Sequence, residues 1–270
     1  DVGEGHSTIQ VNLGPDQGYR LEWQLDRIAW AYPQSSHRGD YAAMWWDLDN
    51  DGWQDLVMAQ GSYEDARDKL FVLRQNEDAY FDDITAALGL AGTDRIPSPG
   101  ATTVLDYDRD GDDDVIANLA KEDNRLLLLR NDVGNAQYHL GVKLVPPPGV
   151  NGSAIGARVV VTAGDLVQTR ELFSGQGHFA NQQPLVLNFG LGGHHRVDRI
   201  EVRWPSLAGE TWVLDDVAAD QLLVIGPDPP APPPTDEPAL ETGCGCAAGA
   251  ATGAPFFLAS LLALRRRTRG

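Results

Sequence analysis

Apolar positions in this chain come in short runs of β-type residues separated by turn residues. Ala42-Ala43-Met44-Trp45-Trp46 and Leu56-Val57-Met58-Ala59 flank one acidic stretch, and Ala101-Thr102-Thr103-Val104-Leu105 and Val115-Ile116-Ala117-Asn118 flank another. A third run follows each pair, Leu70-Phe71-Val72-Leu73-Arg74 in the first and Leu126-Leu127-Leu128-Leu129-Arg130 in the second. Runs of four to five such residues between turn signals predict strands. The unit is therefore strand, acidic loop, strand, turn, strand, and it occurs twice. Within the first strand, Trp45 and Trp46 are expected on opposite faces, one in the core and one at the surface.

The loops between the strands carry the chemistry. Residues 47–56 read DLDNDGWQDL and residues 106–115 read DYDRDGDDDV, both fitting D-x-D-x-D-G-x-x-D. Alternate carboxylates in a tight turn converge on one centre, and the Gly at the sixth position permits the bend. Six to eight hard oxygens at ~2.3–2.6 Å are what Ca²⁺ requires, whereas Mg²⁺ seldom uses a dense protein carboxylate cage. An EF-hand is excluded, because its twelfth-position Glu would fall on Met58 and Ala117. Asp55 and Asp114 stand at the ninth position instead. A solvated acidic turn does not account for two copies in register.

Downstream, residues 138–226 lose the acidic loops and show six strand-like runs, 141–145, 157–161, 169–173, 185–189, 199–204 and 221–225, separated by turn signals. A compact antiparallel β domain is predicted.

Charge and cysteine usage narrow the function. The net charge is −18 and 29 of the 270 residues are glycine. Such a body repels phosphate backbones, so nucleic acid is excluded as a partner of the main domain. Cys244 and Cys246 are the two cysteines of the chain, so no disulfide framework holds the β region. Residues 227–238, PDPPAPPPTDEP, form an extended spacer. After it come Gly243-Cys244-Gly245-Cys246, an uncharged run from Ala247 to Leu264 and a basic end with Arg265, Arg266, Arg267 and Arg269. A stable membrane span wants ~20 strongly apolar residues, and this run is diluted by Gly, Ala and Pro255. The Arg residues would stay cytoplasmic and place everything upstream outside the membrane.

The acidic loops resemble FG-GAP (VCBS) repeats of β-propellers over residues 41–137, and Tyr80-Phe81-Asp82-Asp83-Ile84-Thr85 is similar to the linker of the cartilage acidic protein group. That resemblance implies Asp47, Asp49, Asp51 and Asp55 as side-chain Ca²⁺ ligands, with the carbonyl of Trp53. It implies Asp106, Asp108, Asp110 and Asp114 with the carbonyl of Asp112 at a second site. Ala154-Ile155-Gly156-Ala157-Arg158-Val159, Phe189-Gly190-Leu191-Gly192, Val197-Asp198-Arg199-Ile200 and Val202-Arg203-Trp204-Pro205 look like the ASPIC/UnbV domain, which commonly follows FG-GAP repeats. The tail from Gly243 to Gly270 resembles the MYXO-CTERM sorting signal. That likeness implies processing near Cys244 or Cys246 by sorting machinery and a mature protein left at the cell surface; an ordinary anchor is the alternative.

The expected fold is all-β. A partial propeller (two repeats cannot close a ring of ~4–8 blades) follows a poorly matching segment, 1–40. Then come the antiparallel ASPIC/UnbV-like domain (138–226), the Pro-rich linker (227–242) and a short apolar C-terminal helix within 243–270.

Several further motifs carry ordinary readings. Gly175-Gln176-Gly177-His178-Phe179-Ala180 has no room for a helix before Pro184. His194-His195 reads as a polar hairpin turn. Arg38-Gly39-Asp40 and the sequon Asn151-Gly152-Ser153 are short enough to recur by chance. Two function classes follow. One is a non-enzymatic Ca²⁺-binding surface protein whose β modules bind glycan, matrix or a protein partner. The other is a secreted hydrolase or lyase with its active site in an upstream portion.

Overall fold

A computed structural model describes residues 7–24, 26–30, 38–62, 69–90, 99–119, 125–175, 181–205 and 211–226. A short hairpin of β1 (Ile9–Asn12) and β2 (Leu21–Gln24) comes first. Next is a five-stranded sheet built from β3 (Ile28–Ala29), β4 (Arg38–Trp46), β5 (Asp55–Ser62), β6 (Lys69–Gln75) and β7 (Phe81–Asp83), in the order β3-β7-β6-β5-β4. A second sheet holds β8 (Pro99–Leu105), β9 (Asp114–Leu119) and β10 (Arg125–Leu129), with β9 in the middle. The repeated unit is thus a meander in both copies. Trp46 pairs with Asp55 across the first loop, and Leu105 pairs with Asp114 across the second. In each, eight loop residues close the hairpin and the ninth-position Asp opens the following strand.

Alternation decides which faces are buried. On one face of the first sheet Met44, Trp46, Val57, Ala59 and Val72 pack against Val104, Val115 and Leu129 of the second. On the other face Leu56, Met58, Phe71 and Leu73 enclose Ile28 and Phe81. A sheet buried on both sides reads as unbroken apolar runs, which explains the 56–59 and 70–73 segments. Trp46 is 4% exposed and Trp45 46% exposed, as strand alternation requires.

The C-terminal module contains β11 (Tyr138–Leu144), β12 (Arg158–Ala163), β13 (Leu166–Glu171), β14 (Val186–Gly192), β15 (Arg196–Arg203), β16 (Thr211–Ala218) and β17 (Gln221–Ile225). Two sheets, β14-β11-β17 and β13-β12-β15-β16, share one core that includes Val142, Val161, Phe189, Ile200, Val202 and Trp204. Two features depart from the expected antiparallel domain. β17 pairs parallel to β11, because the chain crosses from the edge of one sheet to the edge of the other after β16. β16 itself is a seventh strand, hidden in the sequence because Asp215-Asp216 breaks its alternation; Asp216 sits at φ 58° in an edge strand.

The linker, the apolar C-terminal run, Cys244 and Cys246 lie outside the described residues. Among the described residues no helix is long and apolar enough to cross a membrane.

Candidate metal centre

The two acidic loops fold alike because each is closed by its own backbone. Asp47 accepts hydrogen bonds from Asp51 N (3.1 Å) and Gly52 N (3.0 Å), and Asp106 accepts from Arg109 N (2.6 Å) and Gly111 N (3.2 Å). Gly52 and Gly111 take φ values of 94° and 97°, which only glycine adopts without strain. The ninth-position carboxylate is a clamp. Asp55 accepts from Leu48 N and Gln75 N, both at 2.8 Å, and Asp114 accepts from Tyr107 N (3.0 Å) and Asn131 N (2.8 Å). One carboxylate thereby ties the loop to the third strand of its repeat.

Carboxylate oxygens of Asp47, Asp49 and Asp55 converge within 4.8 Å of one another, and so do those of Asp106, Asp108 and Asp114. Asp51 and Asp110, expected as ligands too, are neighbours of these groups but not members of them. Asp51 accepts from Trp53 N at 2.8 Å and from Arg74 at 3.3 Å. Asp110 accepts from Asp112 N at 3.1 Å. The Trp53 ring is exposed, whereas the Asp112 side chain is buried. Arg74 Nη2 lies 2.6 Å from Asp49 Oδ2, and Arg130 Nη1 lies 3.6 Å from Asp108 Oδ2 while also bonding Asp132.

Burial sets the electrostatics. Asp47 is pushed well above the usual carboxylate range by desolvation, then by the charges of Asp55 and Asp51. Desolvation raises Asp55 and Asp114 to about 7 each, against the opposing pull of their backbone N–H donors. Asp49 and Asp108 are raised by burial and by the neighbouring Asp51 and Asp110. Burial and like charge thus oppose ionisation of these raised carboxylates, and a divalent cation relieves such a conflict. The donor set fits one: every converging atom is a hard oxygen, and Asp49 Oδ1 is buried with no hydrogen-bond partner.

The residues that sequence reasoning missed join the loops to each other and to the C-terminal module. Asn50, in the left-handed region at φ 54°, donates from Nδ2 to Asp112 Oδ1 (2.7 Å) and Gly111 O (3.2 Å) of the other loop. Asn131 Nδ2 donates to Leu48 O at 2.7 Å. Gly192 N donates to Asn50 O (2.8 Å), and Asn188 Nδ2 donates to Asp113 Oδ1 (2.5 Å). Gly190 lies so close that a Cβ there would overlap Asp47 Oδ2 and the Asn50 backbone. Arg170 sits under both loops, where burial lowers its pKa while Asp47 and Asp113 raise it. The available signal was the departure of Asn50 and Asn131 from the acidic and apolar patterns around them.

The other motifs take ordinary places. His194, beside the β14–β15 turn, lies 3.2 Å from Asp165, and no group able to hold a metal among the described residues includes a histidine. Arg38-Gly39-Asp40 opens β4, paired with Ser62, Gly61 and Gln60. Asn151 Oδ1 accepts from Ser153 N and Ile155 N in an exposed turn. Residues 176–180 of the Gly-rich motif lie outside the described residues.

Comparison with known families finds an FG-GAP-like repeat over residues 47–117, which takes in both acidic loops, and an ASPIC and UnbV domain over residues 147–231. No curated protein matches this chain. The chain therefore carries both modules expected from the loop and strand motifs, in the expected order.

Proposed function

We propose that this is an exported, non-enzymatic Ca²⁺-binding protein of the cell surface, whose β modules bind a glycan, matrix component or protein partner. FG-GAP repeats are typical of extracellular proteins. The observation that carries the reading is the pair of converging carboxylate clusters, each anchored by a buried ninth-position Asp and placed where the two repeats meet the C-terminal module. Asp47, Asp49 and Asp55 would hold one ion, and Asp106, Asp108 and Asp114 the other. The ion supplies positive charge to carboxylates that burial otherwise drives toward protonation. Asp55 and Asp114 keep the third strand of each repeat in register through their backbone bonds. Asn50 and Asn131 hold the loops side by side.

The test is calcium titration calorimetry of the full chain. Two sites are expected, and Asp49→Asn and Asp108→Asn should each remove one. Unchanged binding in both variants would overturn the assignment. At the C-terminus, sorting through the tail predicts that a C244A/C246A double variant folds but fails to reach the cell surface in an accessibility-labelling assay. Normal display would favour a plain anchor.

A further inference from the structure

A cavity of about 1020 Å³ opens between the repeat sheets and the C-terminal module. That volume is at the upper end for small-molecule sites, which favour junctions between modules. The first sheet contributes Trp45 and the C-terminal module contributes Phe173, 46% and 51% exposed in a concave setting. Trp45 rests against Phe81 with ring centroids 5.9 Å apart, which steadies it. The same cavity is lined by planar hydrogen-bonding groups already held in place. Asn188 donates to Asp113, and Arg170 donates to Gln168 Oε1 (3.0 Å) and Thr169 O (3.2 Å).

Charge limits the ligand. The lining includes Arg109, Lys143 and Arg170 but also Asp47, Asp106, Asp113, Glu171 and Asp220. No single-sign field exists to capture a polyanion. So many polar and ionisable groups equally disfavour a lipid tail. What suits exposed aromatic faces together with amide, carboxylate and guanidinium groups is a ring apolar on its C–H face and rimmed with hydroxyls. Each hydroxyl both donates and accepts, as these side chains do together.

We infer that this cleft binds a neutral oligosaccharide, stacked on Trp45 and Phe173 and hydrogen-bonded through Asn188, Asp113 and Arg170. The inference rests on the cation-dependent binding function proposed above, because Asp47 and Asp106 belong both to the carboxylate clusters and to the cleft wall. Saccharide binding therefore requires Ca²⁺.

The experiment uses the full chain in millimolar Ca²⁺, with cellotetraose, chitotetraose, maltotetraose and mannotetraose as probes and a heparin hexasaccharide as the charged comparison. Calorimetry reads binding, and thermal unfolding with and without chelator runs on the same samples. The expected result is binding of at least one tetrasaccharide with Kd below about 1 mM, lost in chelator. Phe173→Ala and Trp45→Ala should each weaken it about tenfold or more. Phe173 is half-exposed, so its variant retains the fold even if the Trp45 variant does not. Failure of every tetrasaccharide, binding of heparin alone, or binding indifferent to Phe173→Ala would overturn the inference. If such a failure comes with an intact Ca²⁺ stabilisation, the cation-binding reading stands. If the stabilisation is absent too, both fall.

Discussion

The repeats and the C-terminal module are both built of short strands, yet they bury different things. Among the described residues the repeats bury four carboxylates, Asp47, Asp55, Asp112 and Asp114, and the C-terminal module buries none. The module instead closes a single apolar core over two sheets, while the apolar residues of the repeats are divided between two smaller clusters. Buried carboxylates are costly unless paired or coordinated. The comparison therefore teaches that the C-terminal module is held by its own core, whereas cohesion of the repeats is conditional on what fills the loops.

The widest separation between the two halves should come from removing the cation. At a free ion concentration ~100-fold above Kd, each site adds about 2.7 kcal/mol, on the order of 10 °C in Tm for a domain of this size. Chelator should therefore lower the unfolding transition of β4–β10 and leave that of β11–β17 nearly in place, as read by hydrogen exchange of β5 and β9 against β12 and β15. The pH dependence has a definite sign. Folded-state values near 7 for Asp55 and Asp114 lie above the ordinary unfolded value of ~3.9. In chelator, their contribution is present in full below pH ~4 and lost as pH rises through about 7. The cation needs the ionised forms, so the Ca²⁺-induced gain should be larger at pH 8 than at pH 5.5. A gain independent of pH, or shared equally by both modules, would erase the contrast.

A smaller effect should come from the seam. Adding a Cβ at Gly190 drives β14 against Asp47 and the Asn50 backbone. Overpacking of this kind typically costs about 1–3 kcal/mol. Gly190→Ala should lower Ca²⁺ affinity at the first loop although residue 190 is no ligand, and should leave the second loop less affected. Equal loss at both loops, or none at either, would show that the module does not position the first loop.

Much of this arrangement could be read from the sequence. The D-x-D-x-D-G-x-x-D spacing marked both loops, and flanking apolar runs marked the six strands of the repeats. Alternation separated Trp45 from Trp46. What escaped was non-local. Asn50 reaches a loop 61 residues downstream, and Asn188 reaches back 75 residues to Asp113. No local period encodes such pairings. β16 escaped because Asp215-Asp216, both exposed in an edge strand, interrupt the alternation that packs Trp212, Leu214 and Val217 on the core. The parallel β11–β17 pair depends on the path between two sheets, which strand signals do not report.

The smallest expected effect separates the two loops from each other. Arg74 and Arg130 occupy equivalent places at the end of the third strand of each repeat, the one inside β6 and the other directly after β10. Arg74 bonds Asp49 at 2.6 Å, whereas Arg130 is drawn to Asp132 and stands 3.6 Å from Asp108. Both guanidinium groups are about half exposed, so neither pair contributes more than ~1 kcal/mol to folding. The effect of Arg74 on the ion is opposite in sign to its effect on folding, because it competes with the cation for the Asp49 carboxylate. Arg74→Ala should therefore destabilise the chelated protein slightly, by about 0.5 kcal/mol, while tightening Ca²⁺ binding about two- to threefold. Arg130→Ala should change affinity less, since its carboxylate partner is Asp132, outside the cluster. Calorimetry on the two variants reads the difference directly. Weaker Ca²⁺ binding in Arg74→Ala would mean that the arginine organises the loop rather than competing for it.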